Sequence, residues 1–179
     1  MGTIINGAWQ PLEHIDKEVT EVEHHLHNRE RWIGEHGARN LEVDCGATGT
    51  MAVFQSTAGD DAWSATPLCL IGTGDGPFIT GMTKYDAHYI IITDVAVAAD
   101  VKRHYCRLVY GTGTVGDAIT AGQFTEFRFT PERGKAHTPI PIICPRITYG
   151  TEKLWITHWV DGVTNPTMDF TIGVHEYEV

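Results

Sequence analysis

From Leu41 onward the chain is a succession of short β-prone runs separated by Gly, Pro, Asp and Thr: LEVDC, MAVFQST, PLCLIG, HYIIITDVAV, RHYCRLVY, QFTEFRFT, PIPIICPRITY, KLWITHWV and MDFTIGVHEYEV. Several alternate with the two-residue period of a half-buried strand. In QFTEFRFT, Phe124, Phe127 and Phe129 bracket Glu126 and Arg128; in KLWITHWV, Leu154, Ile156 and His158 fall on one face and Trp155, Thr157 and Trp159 on the other. About eight or nine such strands, with no helical pattern among them, predict an antiparallel sandwich or barrel. The specific expectation is a mainly β, jelly-roll-like β-sandwich of two four-stranded sheets over 38–179.

The first 37 residues have a different texture. Leu12, Ile15, Val19, Val22, Leu26 and Ile33 follow the alternating three- and four-residue step of an amphipathic helix, with Arg29 filling the one slot in the series that is not apolar. Leu12, Val19, Leu26 and Ile33 then occupy one position of a narrow coiled-coil seam and Ile15, Val22 and Arg29 the other, while Trp32 is the apolar residue off the seam. Pro11 suits a first helical turn, Glu13, Asp16 and Glu18 complement the positive end of the dipole, and Gly34 and Gly37 offer a stop. A helix over 12–33 is therefore expected, preceded by an arm carrying Ile4, Ile5 and Trp9. The stripe can lie on the chain's own sheet or against another molecule. Its narrowness favours the second, because a helix packed on a sheet usually shows a broader apolar face.

Charge and composition remove whole classes of function. A net charge of −10 with no basic run argues against direct nucleic-acid binding, which needs clustered Lys and Arg. No apolar run approaches the length of a membrane span, and the N-terminus lacks a secretion-signal pattern. The four cysteines, Cys45, Cys69, Cys106 and Cys144, form no C-x-x-C pair and read as reduced, mostly core-lining thiols of a protein assembled in a cytoplasm, with a bridged pair, not assignable from sequence, as the alternative.

Catalytic and ligand motifs are weak. Glu23, His24, His27 and Glu30 could gather on a helix face around zinc, but one helix supplies too few ligands, so His24, His25 and His27 are expected to make polar contacts with a neighbouring chain. Gly111 to Gly116 satisfies G-x-G-x-x-G, yet at most two helical turns and then a strand follow, so loop glycine explains it better than a dinucleotide. No nucleophile elbow, thiol-protease motif or calcium loop is present, and no enzyme, cofactor or metal is expected. Trp155 and Trp159 flanking His158 raise a glycan platform as an alternative. A cupin-like metal protein is a third reading: His88, His104, His158 and His175 lie on strand-like runs, without a compact two-His-plus-Glu motif.

The opening AWQPLEHIDKEVTEVEHHLHNRERWIG, with KYDAHYIIITD and LVYGTG downstream, resembles small virion structural proteins of tailed bacteriophages. The resemblance implies a jelly roll that decorates or cements a capsid, often as a homotrimer, located in the virion and bound to the major capsid protein or another virion protein. Under it, Ile4, Ile5, Trp9, Leu12, Ile15, Val19, Val22, Leu26, Arg29, Trp32, Ile33, His24, His25 and His27 form the partner interface. The alternative is a receptor- or glycan-binding module of a tail fibre.

Overall fold

The computed structural model describes residues 2–5, 8–11, 30–34, 39–40, 50–51, 54–131 and 138–178. The chain divides into two compact units, Met1–Glu30 and Arg31–Val179. In the first unit, β1 (Gly2–Ile5) and β2 (Ala8–Pro11) form an antiparallel hairpin with Ile4 opposite Trp9. The arm is thus a hairpin, and Pro11 closes a strand where a first helical turn was expected. Leu12, Ile15, Val19, Val22, His24, His25, Leu26, His27 and Arg29 lie outside the described residues.

The larger unit is mainly β, with antiparallel sheets. One sheet has the order β10 (Phe124–Phe129), β9 (His104–Gly111), β13 (Lys153–Val160), β7 (Leu68–Ile71). The other runs β11 (Ile140–Pro141), β8 (Lys84–Val95), β14 (Thr167–Tyr177), β3 (Glu30–Ile33). To it β12 (Ile147–Thr148) adds through β8, and β6 (Phe54–Thr57) through β14. A separate two-residue pair joins β4 (Arg39–Asn40) to β5 (Thr50–Met51).

The core lies between these two sheets. Leu70 and Ile71, Cys106 and Leu108, and Leu154 and Ile156 from the first sheet share one cluster with Tyr85, Ala87 and Ile90 of β8 and Met168, Phe170, Ile172 and Val174 of β14. That arrangement is sandwich-like, and it follows from period-two alternation: β13 sends Leu154 and Ile156 inward while Trp155 joins Cys69, Val109 and Ala118 in a second cluster outside. Over this outer cluster lies α1 (Val115–Thr120), started by a reciprocal capping box between Thr114 and Asp117. The G-x-G-x-x-G run is the turn into this six-residue helix, and β10 then returns antiparallel beside β9. The parallel crossover that a dinucleotide fold requires is not what this segment builds.

Two sequence expectations are corrected within this unit. Glu30–Ile33 is a strand on β14, not the last turn of a helix, and Ile33 is a core residue at 2% exposure. Trp32, the next residue along the alternation, remains 38% exposed and lies against Gly173, where a Cβ would sit 3.3 Å from its ring. Four residues are too few to separate a period of two from one of 3.6, and Trp and Ile both favour strands. The second correction concerns thiols. Cys69 is disulfide-bonded, whereas Cys106 and Cys144 are free.

Candidate functional site

The densest cluster of chemically versatile side chains lies on the outer face of the β8–β14 pair. Tyr85 and Ala87 of β8 point into the core, so Asp86 and His88 between and beyond them point out. The register sets His175 of β14 directly opposite Asp86, which brings a residue from the end of the chain to two from its middle. His88 Nδ1 lies 3.7 Å and His175 Nδ1 4.0 Å from Asp86 Oδ1. The two imidazoles face each other, with ring centroids 3.7 Å apart and planes inclined by 33°. All three side chains are about one-fifth exposed or less.

Neighbours fix the carboxylate. The Tyr177 hydroxyl donates to Asp86 Oδ2 at 2.7 Å, and the Arg146 guanidinium lies 4.0 Å over the Tyr177 ring. Burial works to raise the Asp86 carboxyl, but the nearby His88 and His175 imidazoles and the hydrogen bond from Tyr177 outweigh it and hold it below the usual range. Burial, and after it the same bond, pushes the Tyr177 phenol up to about 12, so its proton stays on Tyr177. Among the described residues, this is the group of three such side chains, His, Cys, Asp or Glu, whose ligand atoms all come within 4.8 Å of one another.

A second histidine pair is sealed inside. His104 Nε2 meets the Ala99 carbonyl at 2.9 Å and His104 Nδ1 meets His158 Nε2 at 2.9 Å. A carbonyl only accepts, so His104 carries its proton on Nε2, and His158 must donate from its own Nε2. Burial first, then the neighbouring imidazole, lowers His158 to about 3, against a smaller opposing pull from the Ser56 backbone. Both rings are fully buried, which makes the pair a structural element of the core. Of the four strand histidines considered from sequence, the fold thus makes two pairs: His88 with His175 outside, and His104 with His158 inside.

The outer face of the other sheet is aromatic. Tyr105 stacks on Trp159 at 4.7 Å, Trp63 lies 6.1 Å from Trp159, and the Arg107 guanidinium is held 4.1 Å over Trp63 and 4.4 Å over Phe124. Arg107 also donates to Glu126 Oε1 through Nε at 2.9 Å and a terminal nitrogen at 2.6 Å. Trp63, Tyr105, Phe124 and Trp159 are half-buried, and Trp155 is buried beneath α1.

The sequence did not single out Asp86, Tyr177 or Arg146. Asp86-Ala87-His88 has the i, i+2 spacing that places two donors on one strand face, but the third donor becomes visible only through the β8–β14 register. Of the residues assigned to a partner interface, Ile4, Ile5 and Trp9 lie in the hairpin, Trp32 and Ile33 in the sandwich, and the others outside the described residues. Among the described residues, no helix is long and apolar enough to cross a membrane.

Fold and site define an antiparallel, sandwich-like β protein with a two-histidine, one-carboxylate cluster on one sheet and an aromatic face on the other. No protein-family model matches the chain, and no curated protein matches its sequence.

Proposed function

We propose that the protein is a non-enzymatic virion structural protein of the capsid-decoration or cement kind, a jelly-roll-like sandwich that associates with copies of itself, as a trimer, and with a shell protein through its N-terminal unit. The observation that carries this reading is that Met1–Glu30 is one of the two compact units into which the chain divides. A unit of that size cannot bury enough surface to hold itself together, and a lone two-stranded hairpin is marginal in water. Its hairpin nevertheless includes Ile4, Ile5 and Trp9, and the apolar stripe from Leu12 to Leu26 follows. Burial against neighbouring copies supplies what the unit lacks, and three linked sandwiches then engage a shell together at raised effective concentration. The disulfide at Cys69 supports service on an exposed particle surface, where such bonds persist.

Light scattering of the purified full chain tests the self-association. A trimer at tens of micromolar is expected, and Val22→Asp, which places a charge in the seam, should shift the mass toward monomer. A wild-type monomer at that concentration would remove this part of the reading; failure to co-sediment with assembled shells would remove the rest.

A glycan-binding module is the second reading, favoured by the stacked Tyr105, Trp159 and Trp63 beside Arg107 and Glu126. Indole faces stack on sugars. A glycan array decides it: a hit lost in Trp63→Ala supports this reading, and an array without hits rejects it.

A further inference from the structure

We propose that Asp86, His88 and His175 form a binding site for one divalent transition-metal ion of the zinc class. The donor set is two imidazole nitrogens and a carboxylate oxygen, the combination that suits zinc or iron(II) and not the all-oxygen shells of calcium or magnesium. The donors come from two neighbouring strands of one sheet, a platform whose register already places His175 across from Asp86 and His88 on the same face.

Distances agree with this assignment. Bonds of about 2.0–2.1 Å around a tetrahedral ion set its ligand atoms roughly 3.4 Å apart. Asp86 Oδ1 is 3.7 Å from one imidazole nitrogen and 4.0 Å from the other. The ion therefore needs small inward movements, and the tilted rings must turn further apart so that their lone pairs converge. Side chains that are 18% and 22% exposed have room for that rotation on their solvent side.

The surroundings match an outer shell. Metal-bound carboxylates are commonly held by a further hydrogen bond, and here Tyr177 donates to Oδ2 and leaves Oδ1 turned toward the imidazoles. Three protein ligands leave a fourth position facing outward, open to water or to a donor from a second molecule. The site lies wholly in the Arg31–Val179 unit, so it stands apart from the proposal about the N-terminal unit.

The test is titration of zinc chloride into the chelator-treated full chain by calorimetry. The parent carries His24, His25 and His27 changed to Gln, so that this segment contributes no ligand. One equivalent is expected to bind at micromolar affinity or tighter. His88→Gln and His175→Gln should each weaken binding by about 100-fold or more, and Tyr177→Phe by about 10-fold, the usual effect of losing an outer-shell partner. NMR of the unsubstituted ligands covers the case in which a variant misfolds: stoichiometric zinc should shift the ring resonances of His88 and His175 and leave those of buried His104 and His158 in place. A parent that takes up no zinc, uptake that survives both substitutions, or rings that do not respond would each overturn the proposal and leave a carboxylate held by Tyr177 beside two imidazoles.

Discussion

His104 and His158 meet through Nδ1 and Nε2 at 2.9 Å, with no exposed surface on either ring. His104 donates its one ring N–H, at Nε2, to the Ala99 carbonyl, accepts at Nδ1 from His158, and stacks on Phe129 at 4.8 Å. The pair is neutral because a buried imidazolium would have to give up its hydration beside a second imidazole.

Acid should therefore destabilise the sandwich through this pair. His158 titrates near 6.5 in the unfolded chain and at about 3 in the folded one, and His104 is lowered too. Between those values the unfolded state binds more protons, so stability is full above about pH 6.5 and falls as pH drops toward 3. For His158 the slope approaches about 1.4 kcal/mol per pH unit, and His104 acts in the same direction. Urea unfolding at pH 7.5 and 5.5 measures it. His158→Gln should lower stability at both values yet flatten the difference between them; an unchanged difference would acquit the histidines.

Glu176 makes a different kind of buried contact. Its carboxylate, fully enclosed, accepts the Phe78 N–H at 2.7 Å, the Ile79 N–H at 3.1 Å and the Tyr149 hydroxyl at 2.7 Å. It ties the 72–83 connection and the β12–β13 turn to the last strand. Glu176→Ala strips all three donors of their acceptor, and at about 1–3 kcal/mol each the loss should exceed 3 kcal/mol. Tyr149→Phe removes one bond and should cost about 1 kcal/mol. Thermal unfolding ranks the two, and equal losses would mean that the backbone donors find water when the carboxylate goes.

Gly34 is required for two separable reasons. Its φ is +92°, and a Cβ there would meet Phe54 Cδ2 at 2.8 Å and the Phe170 carbonyl at 3.1 Å. Gly81 has nearly the same φ, +91°, with nothing within 4 Å. Gly81→Ala should thus report the conformational cost alone, about 1–2 kcal/mol. Gly34→Ala should exceed it by a further 1–3 kcal/mol or so, the range for overpacking. Similar values for both, measured by denaturant midpoints, would show that Phe54 yields freely.

How much of this was readable beforehand depends on whether the information is local. KLWITHWV is strand over its whole length, with Leu154 and Ile156 facing the core and Trp155 facing out, because period-two alternation is a local signal. The end of the N-terminal stripe misled because Glu-Arg-Trp-Ile fits both periods, and pairing with β14 chose the strand. Neither histidine pair could be read at all. His88 reaches His175, and His104 reaches His158, only through strand order and register, which a spacing rule does not contain.

Arg107 offers the sharpest contrast between two kinds of charge contact. Its guanidinium is held between Trp63 and Phe124, at 4.1 and 4.4 Å, and its side chain is 17% exposed, whereas its partner Glu126 is 50% exposed. An ion pair with one half in water contributes little and is screened by salt. Stacking of a planar, weakly hydrated cation between two rings survives salt and is lost when the plane is lost. Arg107→Lys should therefore cost about 1–2 kcal/mol at both low and high ionic strength, while Glu126→Gln should cost under about 1 kcal/mol and less still in high salt. Paired urea titrations at two salt concentrations read both effects. A larger, salt-sensitive loss in Glu126→Gln would reverse the assignment and make the ion pair the stabilising element of this face.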